Sequence, residues 1–338
     1  MYYLKNDYSE GCHPQLLEAL TRTNLIPTTG YGLDEYCTEA ADLIKATFAC
    51  PQADVHFLVG GTQANLTVIA QALRPYEAVV TVTTGHIFGH ESGAIEATGH
   101  KVITYPADDG KVTPAIVEQA LLEHSEEYTP QPAMVYVSNA TEIGTVYTRA
   151  DLTALHECCK AHNLYLYLDG ARLGTALEST ACDLTPTDLA RLTDAFYIGG
   201  TKNGAMFGEA VVLVNDHLKK HFRTTLKQRG GMLAKGRLLG VQFAELFRDG
   251  LWFRLAQHAN EQATALQDGL IAKGVPLMVN SPTNQLFPIF SKTEVERLSK
   301  DFAFEIWAPQ DDEHLIIRLV TSWATQPETV TAFLNAIG

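Results

Sequence analysis

The chain has 338 residues, 46% apolar and 19% charged, a composition that predicts a folded chain of about two domains and excludes a disordered one. A net charge of −14, from 39 acidic and 25 basic side chains, argues against a nucleic-acid partner, because affinity for phosphate backbones rests on Lys and Arg. No apolar run approaches the ~18–20 residues that span a bilayer, the first residues MYYLKNDYSEGCHP carry no secretory pattern, and six scattered cysteines read as reduced thiols. The expectation is a cytoplasmic enzyme or binding protein with no membrane or nucleic-acid partner.

Taken in chain order, helices alternate with short apolar strands, which predicts an α/β domain with a mainly parallel sheet. A helix over 61–73 follows a glycine turn. Strands are predicted over 78–82, 101–105 and 133–137. A helix over 151–162, with Leu152, Leu155 and Cys159 at helical spacing, leads into a strand over 164–168. A strand over 194–198 ends in Gly199-Gly200-Thr201-Lys202-Asn203-Gly204, and a neighbouring strand follows over 210–214. Beyond these come helices over 240–247 and 253–270, strands over 285–289 and 314–319, and a helix over 327–337. The division expected is a large domain over 1–240, with an N-terminal arm, and a small C-terminal α+β domain over 241–338.

Three features fall at the C-terminal ends of strands, where open α/β sheets bind ligands. Gly60-Gly61-Thr62 opens a helix, where free N–H groups and the dipole favour an anion. Alone it reads equally as a tight strand-to-helix connection. Asp169 ends a strand, with Arg172 three residues on; alone it reads as a helix cap. Lys202 sits among glycines after an apolar strand; alone it reads as a solvated lysine, whereas a desolvated one is a nucleophile toward aldehydes. In this order the three meet the needs of pyridoxal 5′-phosphate (PLP): an anion turn for the phosphate, a carboxylate for the pyridine nitrogen and an amine for the aldehyde.

The sequence resembles the threonine aldolase and β-eliminating lyase family of aspartate-aminotransferase-like, fold type I PLP enzymes, over nearly the whole chain. The matching residues are Asn6-Asp7, Tyr31-Gly32, Gly60–Asn65, Gly85-His86 with Glu91, LDGAR at 168–172, Thr201-Lys202 and IIRLVTSWAT at 316–325. The resemblance implies PLP in a Schiff base at Lys202, Asp169 on the pyridinium nitrogen, His86 stacked on the ring, and Gly60, Gly61, Thr62 and Thr201 among the cofactor contacts. It implies Arg172 and Arg318 on the substrate carboxylate, Asn6 and Tyr31 near the substrate, Tyr31 across a subunit interface, and a homodimer or homotetramer. The implied reaction is retro-aldol cleavage of L-threonine or L-allo-threonine to glycine and an aldehyde. Lys202, His86 and Asp169 would be its catalytic residues.

The chain departs from the family at Thr201-Lys202-Asn203, at Ser138–Glu142 and at Leu233, where an arginine is common. A phosphate contact from that segment is then expected from Arg229 or Lys235. Other PLP reactions, β-elimination or transamination, remain open, as does a non-catalytic PLP-fold binding protein. No Gly-x-Gly-x-x-Gly supports a dehydrogenase. His86, His90 and Glu91 suggest metal ligands only weakly, and no metal is expected.

Overall fold

The protein is described here by a computed structural model covering residues 1–337. Strands β1 (Asp54–Leu58), β2 (Glu77–Val82), β3 (Lys101–Tyr105), β4 (Gln131–Ser138), β5 (Tyr165–Asp169), β6 (Ala195–Gly199) and β7 (Glu209–Leu213) form one sheet, in the order β1-β7-β6-β5-β4-β2-β3. Strands β2 to β6 run parallel, and β7 is antiparallel to both β1 and β6. The expected α/β class with a mainly parallel sheet is the one observed.

Helices cover both faces of this sheet, so its central strands are apolar throughout, and their period of two sends alternate side chains to different cores. Val135, Val137, Leu166, Leu168, Phe196 and Ile198 enter one core, with Leu152, Leu155 and Phe243 from helices Arg149–Ala161 and Arg237–Arg248. Met134, Tyr136, Tyr167, Tyr197 and Val211 enter the other, with Ala64, Val68 and Ile69 of helix Gly61–Ala72. The Thr148–Asp151 capping box starts helix Arg149–Ala161 as its sequence requires.

A second sheet pairs His314–Val320 antiparallel with Gln285–Leu286, Ile289–Ser291 and Glu305–Pro309. The single strand expected over 285–289 is therefore two, interrupted at Phe287-Pro288, where proline lacks a ladder donor. The expected helices over 240–247 and 253–270 are longer, Arg237–Arg248 and Leu251–Ala272, parted by Gly250 at φ +68°. Helices Pro14–Thr23, Glu35–Thr47 and Pro114–Glu123 and strand Glu305–Pro309 add to the expected set.

Helix Leu251–Ala272 joins the two parts. Leu251, Trp252 and Leu255 pack into the large-sheet core, and Leu266 and Leu270 pack with Phe290, Ile317 and Phe333. The chain start belongs to this second part: Tyr2–Tyr3 pairs parallel with Phe302–Ala303, and Leu4 is buried in the same core. Residues 5–8 then cross toward the C-terminal ends of β4, β5 and β6. No helix among the described residues is long and apolar enough to cross a membrane.

Candidate active site

Parallel strands end together, so β5, β6 and the turn after β2 deliver Asp169, Lys202 and His86 to one edge of the sheet. A cavity of about 320 Å³ opens there, and Gly60, Gly61, Thr62, His86, Asp169, Arg172, Thr201 and Lys202 are among the residues that line it. Eight of the residues singled out in the sequence thus share one cavity.

Asp169 is 3% exposed. Its Oδ2 accepts hydrogen bonds from Tyr136 Oη (2.5 Å) and Asn65 Nδ2 (3.0 Å), and its Oδ1 from the Ala171 N–H (3.0 Å). Burial alone would raise the carboxyl pKa, but the neighbouring His86 imidazole and donated hydrogen bonds hold it below its ordinary value. The group is kept as a carboxylate, oriented and dry. Burial, with the neighbouring charge of Asp169, lifts the Tyr136 hydroxyl far above its usual pKa and so keeps it a donor.

Lys202 forms no salt bridge among the described residues. Burial and the charge of Arg172 lower its pKa, against the pull of Asp7, Asp169 and Glu209. A buried amine shifted toward its neutral form is what condensation with an aldehyde requires. Facing it, helix Gly61–Ala72 begins at Gly60 with no side-chain cap, which leaves first-turn N–H groups open to an anion. A Cβ on Gly61 would lie 2.8 Å from Tyr197 Oη, so only glycine keeps this approach open. Amine, carboxylate and uncapped helix terminus together fit an aldehyde-bearing phosphorylated pyridine.

His86 lies at the cavity wall with Nδ1 2.8 Å from Glu91 Oε1, and its backbone N–H donates to Glu142 Oε1 (3.0 Å). Glu91 is itself buried and also accepts from Asn65 Nδ2 (2.7 Å). Asn65 therefore ties the carboxylates of Glu91 and Asp169 together. Three potential metal-ligand atoms converge among the described residues at Glu118, Cys158 and His162, not at His86, His90 and Glu91.

Arg172 is held by Asp7: Nε to Oδ2 at 2.7 Å and an Nη to Oδ1 at 3.1 Å, with Asn284 Nδ2 also donating to Asp7 (2.9 Å). Burial would raise the Asp7 pKa; Arg172 and Lys202 outweigh it and lower it. Asn6, Tyr31 and Arg318 stand outside the cavity lining. Asn6 Oδ1 caps its own turn through the Tyr8 N–H (3.0 Å) and Ser9 Oγ (2.9 Å). Tyr31, at φ +61°, lines a separate recess beside Arg223. Arg318 bonds Glu305 and lies 5.4 Å from the Trp307 ring centroid; burial first, then the charge of Arg172, lowers its pKa. Arg229 and Lys235 do not line this cavity either; Arg229 caps helix Phe222–Gln228, and its charge acts on His100.

Sequence reasoning quoted Asn65 and Glu142 within motifs but gave no role to them, nor to Tyr136, Tyr197 or Glu209. A signal exists for two of them. Tyr136, Tyr167 and Tyr197 each stand two residues before the end of β4, β5 and β6, the spacing that puts them on the face of Asp169.

The architecture is that of the aspartate-aminotransferase-like class. Thermus thermophilus aspartate aminotransferase superposes with a TM-score of 0.73, covering 99% of this chain and 90% of that one, at 18% identity, a likeness of fold alone. The family model described as beta-eliminating lyase matches residues 18–293, and the chain belongs to that family of PLP-dependent lyases. It is 32% identical over 335 residues to a low specificity L-threonine aldolase of Pseudomonas sp., covering 97% of this chain and 94% of that protein. A solved threonine aldolase from Leishmania major matches with a TM-score of 0.98 and 50% identity over 99% of this chain and 98% of its own.

Proposed function

We propose that the enzyme cleaves L-threonine or L-allo-threonine to glycine and acetaldehyde, with PLP held at Lys202, in a cytoplasmic homo-oligomer that brings Tyr31 of one subunit to the cavity of another. The observation that carries this reading is the meeting of Lys202, Asp169 and the Gly60–Thr62 helix start in one cavity. The relatives' names support the choice of substrate.

PLP, when bound, would supply an electron-withdrawing ring conjugated with the substrate's amino nitrogen, able to accept the electrons released at Cα. The protein's part is placement and proton control. Gly61 and Thr62 hold the phosphate, and Asp169 keeps a proton on the pyridine nitrogen. Arg172 spends its Nε edge on Asp7 and keeps Nη1 for the substrate carboxylate. That contact would hold the substrate in a single orientation in the cavity and so select which Cα bond is activated. Glu91 holds the Nδ1 proton of His86, which leaves Nε2 to accept the β-hydroxyl proton.

Products decide between this cleavage and its rivals. With L-threonine, glycine and acetaldehyde are expected in equal amounts, measured by chromatography and an aldehyde assay. Ammonia and 2-oxobutyrate as the main products would assign elimination instead.

The two arginines make a paired expectation. Arg318→Ala should raise KM for L-threonine by about tenfold or more, as expected when a charged carboxylate loses its partner, with only a modest loss of stability because its ion-pair partner Glu305 stays partly exposed. Arg172→Ala should raise KM likewise but also lose about 3–5 kcal/mol of stability, because Asp7, 1% exposed, is left buried without its cation. Unchanged KM in both variants would remove them from substrate binding.

A further inference from the structure

One buried carboxyl in the cavity has no part in the scheme above. Glu209 opens β7, is 4% exposed and lines the cavity with Lys202 and Asp169. Antiparallel pairing sets it opposite Gly199 on β6. Its Oε2 accepts the Gly200 N–H at 3.0 Å, and the Thr201 hydroxyl is its second polar neighbour. Gly200 and Thr201 immediately precede Lys202, so carboxyl and amine are held by one short turn.

The other ionisable groups around Glu209 are few. Asp169 and Tyr167 face it from β5, Tyr197 from β6 and Lys202 from the turn. Strand β1 presents apolar Leu58 opposite it, and helix Gly61–Ala72 carries no charged side chain. The two tyrosines are held protonated by burial and by the charge of Asp169, and Asp169 is held ionised, so Lys202 is the neighbour with which a proton can be exchanged.

We infer, resting on the reading of Lys202 given above, that Glu209 is the proton partner of that lysine. Its carboxylate takes the proton that the Lys202 ammonium must shed before condensing with a carbonyl, and its carboxylic acid returns that proton when the amine is released. Lys202 Nζ makes no direct ion pair with Glu209, so one proton moves from nitrogen to oxygen across the cavity they share, relayed by a water. The free amine then forms a C=N bond as the carbonyl oxygen departs as water, and hydrolysis reverses both steps with no change of oxidation state. Burial raises the Glu209 carboxyl to about 7, while burial and Arg172 lower Lys202. The two shifts run in opposite directions and so narrow the difference in proton affinity, which favours exchange.

The test compares the purified holoprotein with Glu209→Gln, which keeps an acceptor for Gly200 but cannot carry the proton. Two readouts are followed across pH: the visible absorbance of the lysine-bound cofactor, and the rate at which hydroxylamine displaces Lys202. In the parent, displacement should show an inflection near pH 7. In Glu209→Gln that inflection should vanish, displacement at neutral pH should slow by about tenfold, and the absorbance midpoint should fall by about one pH unit, the shift expected when an adjacent opposite charge is lost. Should Glu209→Gln fail to fold, Glu209→Asp retains the carboxyl and should retain the inflection at a shifted pH. Unchanged profiles in a folded Glu209→Gln, or no inflection in Glu209→Asp, overturn the proposal and leave Glu209 as an anchor for Gly200. A parent whose cofactor cannot be fixed to Lys202 by borohydride fails differently: it removes the lysine assignment itself, and this one with it.

Discussion

Replacing Lys202 by alanine is expected to lower glycine formation from L-threonine by about 10³-fold or more while leaving the fold intact. The amine is the group proposed to join the cofactor to the chain, and no other residue lining the cavity offers an amine on a flexible stem. Stability should be kept because Lys202 forms no salt bridge among the described residues, and removing a desolvated cation strands no partner. Borohydride treatment of the parent should abolish its visible band and leave the reduced adduct on the peptide containing Lys202. An adduct on any other lysine, read by mass spectrometry, would sink the assignment.

Asp169 carries the second large effect. Asp169→Asn should lower turnover by about 10²–10³-fold, the usual cost of removing one preorganised charge from a dry site, while cofactor binding through Lys202 persists. Asp169→Ala should lose the same turnover and also destabilise the protein by about 1–3 kcal/mol, since the buried Tyr136 Oη then lacks an acceptor and Asn65 Nδ2 keeps only Glu91. The pair of variants separates electrostatics from packing. Because the folded pKa of Asp169 is depressed, its contribution to stability is present above the unfolded value near 3.9 and is lost as pH falls through the folded one. Asp169→Asn should therefore flatten the acid limb of a stability-against-pH curve measured by denaturation. Full turnover in Asp169→Asn would exclude the carboxylate from the reaction.

Much of the site is legible in the sequence because its members sit in short motifs at strand ends. Lys202 and Asp169 each follow an apolar strand, and strand termini in a parallel sheet converge whatever the register inside it. Gly60-Gly61-Thr62 is legible for the same reason: glycine at a helix start has a local purpose. The small second sheet is read less well. Its strands are two or three residues long in places and are held by partners such as His314–Val320 rather than by their own pattern.

Asn65, Tyr136 and Glu209 show where local reading stops. Tyr136 looks like a core aromatic until pairing of Ser138 with Asp169 places its hydroxyl on that carboxylate. Glu209 looks like the polar lead-in to an apolar strand until β7 turns antiparallel to β6 and brings it to Gly200. Arg172 is recognisable as a cation after LDG, but its bond to Asp7 spans 165 residues and depends on the chain start docking beside Phe302 and Ala303.

The sequence by itself determined the α/β class and marked Lys202, Asp169 and the Gly60–Thr62 turn as candidates at strand ends, because backbone periodicity and glycine freedom act over a few residues. Only the tertiary structure decided which neighbours tune them: Tyr136 and Asn65 for Asp169, Glu91 for His86, Asp7 for Arg172 and Glu209 for Lys202. Those pairings rest on strand register and on desolvation in a shared core, and neither is a property of any short stretch of chain.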